Sequence, residues 1–161
     1  MTLYIADSAV FINGYHKENS QFITVPAVGE ELKSREARMR FDLACERGTR
    51  SEMPDPLIRA EVVGTAHHTK DADELSATDI DILAKALEHK EDAVLLTDDY
   101  AVQNVAAVMG ITVAPIFQKK IRDVLVWGKR CVGCGRKFDD GDVCPVCGSA
   151  FKKTRKKKII T

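Results

Sequence analysis

Apolar residues fall into two spacings along the chain. Dense short runs, LYIA ahead of Asp7, ITV at 23–25, AVLLT at 93–97 and ITVAPI at 111–116, predict buried strands. Between them, apolar positions recur every three or four residues. Val28, Leu32, Ala37, Phe41, Leu43 and Ala44 predict one amphipathic helix from Ala27 to about Arg47, opened by Pro26 and stopped by Gly48. A second helix starts at the capping box Ser76/Asp79 and carries Ile80, Leu83, Ala84 and Leu87 on one face. YAVQNVAAVMG predicts a third, ended by Gly110. MPDP at 53–56 breaks the chain, LIRAEVVG after it predicts another strand, and AHHTKDADEL fits either helix or exposed loop. Strands alternating with helices predict an α/β fold, a parallel sheet flanked by helices over residues 1–118.

Composition adds an address and an asymmetry. With 45% hydrophobic and 30% charged residues the chain is expected to fold. No apolar run approaches the ~18 residues that cross a bilayer, and MTLYIADSAVF lacks a basic start and a cleavage site. The expectation is a cytoplasmic protein with reduced cysteines, no membrane partner and no small-molecule substrate; no G-x-G-x-x-G follows a strand. The net charge of zero conceals two halves. Residues 1–118 hold 11 basic and 20 acidic side chains, whereas 119–161 hold 13 basic and 4 acidic. An acidic body with a basic end suits a protein that grips a polyanion with one part and acts on it with the other. The plainer alternative is that the halves attract each other.

The basic half contains CVGCGRKFDDGDVCPVCG. Cys131/Cys134 and Cys144/Cys147 form two C-x-x-C pairs, each followed by a glycine that permits a tight knuckle. Four thiolates make the closed tetrahedral shell of structural Zn²⁺, so a zinc ribbon is expected over 127–151. Residues 119–126 then read as a linker and 152–161 as a basic flexible tail. Arg136 and Lys137 in the ribbon, with Lys152, Lys153, Arg155, Lys156, Lys157 and Lys158 in the tail, are candidate RNA-phosphate contacts. Phe138, Phe151 and Trp127 read as the ribbon's small core more readily than as base-stacking surfaces. Cys45 reads as a buried small hydrophobe, and His67 and His68 as surface residues.

The acidic half offers carboxylates in four places: Asp7 at a strand end, Glu30/Glu31 on a helix, Asp79 at a helix start, and the adjacent pair Asp98/Asp99. Each has a structural explanation. Asp79 closes a capping box, and Asp98 suits the N-cap of the next helix with Asp99 in its first turn. Converging without a matching set of cations, however, they call for Mg²⁺ or Mn²⁺. Such an ion positions and deprotonates a water and steadies a phosphodiester.

DSAVFI after the first strand, VGEEL on a helix, LSATDIDILA and LLTDDYAVQN together resemble a PIN-domain ribonuclease. With the four-cysteine ribbon and basic tail, the chain resembles the archaeal form of the Nin-one-binding-protein endonuclease family. The resemblance implies metal-dependent endonucleolytic cleavage of single-stranded precursor ribosomal RNA, maturing the 3′ end of small-subunit rRNA on the assembling small subunit. It implies a 3′-hydroxyl and a 5′-phosphate as products. It assigns Asp7, Glu31, Asp79 and one of Asp98 and Asp99 as catalytic acids, Asp7 and the TDD acid holding the ion, with Thr97 supporting that turn. The alternative class is a non-catalytic RNA-binding assembly factor on the same fold. A toxin-type PIN nuclease is disfavoured by the ribbon.

Overall fold

The computed structural model describes residues 2–117, 123–138 and 141–159, with 123–127 and 154–159 described as backbone. The described residues form two sheets. Strands β1 (Thr2–Ala6), β2 (Ser20–Thr24), β3 (Arg50–Ser51), β4 (Ala93–Leu96) and β5 (Val113–Ala114) pair in parallel in the order β3-β2-β1-β4-β5. Ile5, Ile23, Leu95 and Leu96 are essentially inaccessible at the centre of this sheet, which is why those runs lack alternation. Helices flank it: α1 (Ser8–Ile12) packs against α2 (Pro26–Glu31) and α3 (Arg35–Glu46), and α4 (Pro56–Thr69) against α5 (Ala77–Glu88) and α6 (Tyr100–Val108). None of the described helices is long and apolar enough to cross a membrane.

Strand order decides where a ligand sits. From β1 the chain moves outward through β2 and β3, then returns to place β4 and β5 on the other side. The direction of winding therefore reverses between β1 and β4, and a crevice opens beyond their carboxyl ends. Ala6 lies opposite Leu96 in the register, so Asp7 and Thr97 leave the sheet side by side at that crevice.

Three elements differ from expectation. LIRAEVVG is the body of helix α4, not a strand. Asp55 caps it by accepting from the Leu57 and Ile58 N–H groups, Pro56 occupies its first turn, and Val62, Ala66 and Thr69 are buried at helical spacing. The single helix expected over 27–47 is two. Leu32 is extended and buried, Arg38 Nε donates to its carbonyl at 2.7 Å, and Ser34 recaps the chain by accepting from the Ala37 N–H.

The third difference is in the basic half. Strands β6 (Asp123–Cys131), β7 (Lys137–Phe138) and β8 (Phe151–Ile159) form an antiparallel sheet in the order β7-β6-β8. Residues 123–126, expected as linker, and 152–159, expected as flexible tail, are thus paired strands, Asp123 opposite Ile159 through Cys131 opposite Phe151. An apolar strand with an open edge needs a partner for its backbone N–H and C=O groups. A lysine-rich edge strand supplies one while discouraging further pairing. Residues 119–122 of the expected linker and 160–161 of the tail lie outside the described residues. The ribbon rests on the larger module through β6, which meets α4 and α6.

Candidate active site and metal centre

At the crevice, Asp7 caps α1 and is only 7% exposed. Its Oδ1 accepts from the Ser8 N–H at 2.7 Å and its Oδ2 from the Thr97 hydroxyl at 2.9 Å. The same Thr97 hydroxyl accepts from the Asp99 N–H at 3.2 Å, so one fully buried oxygen ties the end of β1 to the turn after β4. Burial pushes the Asp7 carboxyl up to about 6, the two hydrogen bonds oppose that rise, and the charges of Asp79 and Glu31 add to it.

Asp79 sits in the first turn of α5 and closes the expected capping box. It accepts from the Ser76 N–H at 2.9 Å, while Ser76 Oγ accepts from the Asp79 N–H at 3.1 Å. Its carboxyl is also raised, by burial first, then against its bonds to Ser76 by the charges of Asp99 and Glu31. Capping and participation in the acidic field are therefore simultaneous. Glu31 ends α2 and is exposed, as is its neighbour Glu30. Asp79 lies within electrostatic reach of Glu31 and Asp99, and Asp7 within reach of Asp79 and Glu31; among the described residues none of the four acids has a Lys or Arg ion-pair partner.

The adjacent pair separates by geometry. Asp98 turns away from the crevice: its Oδ1 accepts from the Ile116 and Phe117 N–H groups at 2.7 and 3.0 Å, and its Oδ2 from Phe117 at 3.2 Å. Asp99, not Asp98, is the N-cap of α6, and both capping bonds, from Ala101 and Val102, fall on its Oδ1. Asp81, on the opposite side of α5, is paired with Arg59 at 2.6 Å and stands apart from the cluster.

The donor set at the crevice is carboxylate oxygen only, which suits a hard divalent cation rather than a thiophilic one. It is an open set. Among the described residues, the four cysteines are the group whose ligand atoms all lie within 4.8 Å of one another. Cys131 Sγ and Cys147 Sγ are 3.3 Å apart, and Cys134 Sγ and Cys144 Sγ 3.7 Å. A tetrahedral Zn²⁺ at ~2.3 Å from each sulfur would separate them by about 3.8 Å. The N–H groups of Gly133, Cys134 and Val146 point at Cys131 and Cys144 sulfurs, as in a metal knuckle, and all five cysteines of the chain are free thiols. Gly135 and Gly148 adopt φ of 75° and 73°, the left-handed turn their positions require. Phe138 and Phe151 pack on each other at 5.2 Å, consistent with a small ribbon core.

Arg136, Lys137, Lys152 and Lys153 are exposed, the last bonded to Glu74 at 3.4 Å. The side chains of Arg155, Lys156, Lys157 and Lys158 lie outside the described residues, as does that of Trp127. Cys45 is half-buried, and His67 and His68 are exposed on the last turn of α4. Sequence reasoning passed over Asp71, 2% exposed and bonded to the Thr69 hydroxyl and to Asn104 Nδ2 of α6. Its only sequence signal is an acid directly after a helix end.

Residues 4–88 match the family described as the PIN domain of ribonuclease. The chain is 37% identical to Endoribonuclease Nob1 of Pyrococcus abyssi over 92% of its own length and 91% of that protein. It is 40% identical to Endoribonuclease Nob1 of Archaeoglobus fulgidus over 79% of its length and 76% of that protein. It is 32% identical to Ribonuclease VapC1 of Thermoplasma acidophilum over 94% of its length and 77% of that protein.

Proposed function

The chain belongs to the Nob1 endoribonuclease family of PIN-domain proteins, and from that premise we propose that it matures the 3′ end of small-subunit ribosomal RNA. The substrate is single-stranded precursor rRNA presented on the assembling small subunit in the cytoplasm. The reaction is hydrolysis of one phosphodiester, water adding to phosphorus as the 3′-oxygen leaves. The observation that carries this reading is Asp7, a buried acid without a cationic partner among the described residues, at the winding reversal of the sheet and within the field of Asp79 and Glu31.

A bound Mn²⁺ or Mg²⁺ would supply an activated water and neutralise charge on the scissile phosphate. Asp7 and Asp99 are the residues suited to hold it, since Asp98 is committed to the backbone at 116–117. Asp7 Oδ1 accepts from the Ser8 N–H and, at 3.4 Å, from its hydroxyl, while Oδ2 accepts only the Thr97 hydroxyl and keeps a lone pair for an ion. Thr97 fixes Asp7 relative to Asp99. Asp79 and Glu31 extend the anionic surface and orient water there. Zn²⁺ in the cysteine quartet is structural, and the ribbon's exposed cations hold RNA.

The test is cleavage of a precursor RNA spanning the small-subunit 3′ end, with Mn²⁺ added. Wild-type protein is expected to give a single cut, and Asp7→Asn a loss of at least two orders of magnitude in rate. Unchanged cutting by Asp7→Asn would rule out the proposed metal role of Asp7, whereas no cutting by the wild type would leave the non-catalytic RNA-binding assembly factor.

A further inference from the structure

A cleft of about 350 Å³ lies between the end of α4 and the ribbon, outside the acidic crevice. One wall carries His67, Lys70 and Asp73, and the other Lys129, Lys152 and Lys153, with Asp142 at its edge. We propose that this cleft is a track for the backbone of single-stranded RNA, in which Lys70 of the PIN domain and Lys129 and Lys152 of the ribbon hold successive phosphates beside the cutting site. The proposal rests on the nuclease reading above and names the part of the surface that feeds it.

Location is the first support. The Asp55 N–H at the start of α4 meets Glu88 at the end of α5, so these helices run antiparallel. The end of α4 that carries His67 and Lys70 is therefore at the same end of the molecule as Asp79 in the first turn of α5. Asp71, next to Lys70, is bonded to Asn104 of α6, the helix capped by Asp99. The cleft is thus pinned to the two helices whose N-terminal ends carry Asp79 and Asp99.

Charge is the second. A cluster of uncompensated carboxylates repels the phosphates it must act on, and the PIN domain has 20 acidic side chains against 11 basic over residues 1–118. A strand can dwell there only if cations flank the crevice. In this cleft cations from both modules face each other across a gap and, among the described residues, outnumber the two acids that line it. Their positions are supported: Lys129 donates to the Gly141 carbonyl at 2.7 Å and Lys153 to Glu74 at 3.4 Å. The Lys129 ammonium has three donors, so its bond to Gly141 steadies the group and leaves others for a phosphate.

The third support is backbone geometry. Lys70 occupies the left-handed position that ends α4, with φ of 65°. Glycine takes this conformation without steric penalty, and a residue with a Cβ does not. The helix dipole favours a cation anywhere in the last turn and does not require one at this strained position. Strain retained where a phosphate-sized gap opens is expected of a residue kept for its side chain.

The experiment compares wild type with Lys70→Gln, Lys129→Gln and their double variant, all zinc-loaded and without Mn²⁺ or Mg²⁺, binding a labelled unstructured RNA oligonucleotide across a salt series. Glutamine keeps side-chain length and a donor, which protects folding, and melting curves confirm it. Loss of two phosphate contacts is expected to weaken binding by roughly 25-fold near 0.1 M salt and to flatten the log–log salt slope by about 1.4. Equal affinity and equal slope in the folded double variant overturn the track. So does an affinity loss of the same size at every salt concentration. Cleavage by wild type in Mn²⁺ is scored separately: absence of cutting sinks the nuclease reading, while a flattened slope in that case still supports RNA in the cleft.

Discussion

Asp7 is held in a state its surroundings resist. With its carboxyl raised from 3.8 to about 6, the folded protein keeps a proton that the unfolded chain has already lost between those values. Stability of protein without Mn²⁺ or Mg²⁺ should therefore be highest below pH 4 as far as this group is concerned, fall as pH rises through that window, and level off above about 6. A two-unit shift corresponds to about 3 kcal/mol. Asp7→Asn is expected to melt higher than wild type at pH 7.5 when zinc-loaded and otherwise metal-free. Added Mn²⁺ should raise the wild-type midpoint and leave that of the variant in place. Equal melting temperatures with and without Mn²⁺ in the wild type would count against an ion at Asp7. Thr97→Val removes the hydroxyl that serves Asp7 and Asp99 together. It should cost about 1–3 kcal/mol and move the pH window upward, because that hydrogen bond holds the Asp7 carboxyl down. Asp7 and Asp79 stand out in the sequence because each ends or begins an expected element, whereas Glu31, inside the single helix expected over 27–47, stands out only through the resemblance to the family. Asp98 and Asp99 could not be told apart, since their roles depend on N–H groups at 116–117, far along the chain.

At the scale of elements, two glycines should respond oppositely to alanine. A Cβ on Gly29 would lie 2.8 Å from the Phe41 ring, so either that ring or α2, which carries Glu31 two residues on, would have to shift. Gly29→Ala should lower both the melting temperature and the cleavage rate. Gly64 lies inside α4 with nothing within 4 Å of an added Cβ. Gly64→Ala should stabilise by about 0.5–1 kcal/mol through helix propensity alone, and thermal melts of the pair would check both signs. This same Gly64, after Val62 and Val63, gives LIRAEVVG the composition of a strand. The competing signal, Asp55 as cap with Pro56 in the first turn, was present and decides the outcome. The parallel sheet and helices α5 and α6 were legible because apolar runs, capping box and glycine stop agree. Pairing of β8 with β6 was not, because a run of lysines carries no local strand preference and takes its conformation from the edge it covers.

For the whole molecule, the two halves differ in what holds them together. The large hydrophobic cluster, Ile5, Ile23, Leu83, Leu95 and Val102 among it, lies within the PIN domain. The ribbon has instead a ladder of strand hydrogen bonds and four cysteines close enough to hold one metal ion, whose binding would supply folding energy there. Removing zinc with a chelator should leave most helical circular dichroism intact while RNA affinity falls sharply, and restoring Zn²⁺ should recover binding. Loss of the helical signal in parallel with the metal would instead mean that the ribbon is integral to the PIN core.

Asp98 also gives the turn after β4 a mechanical role. The chain leaves β5 toward the ribbon through Ile116 and Phe117, whose N–H groups are moored to this one carboxylate. Those bonds tie the segment that leaves β5 to the turn that also carries Asp99, the cap of α6.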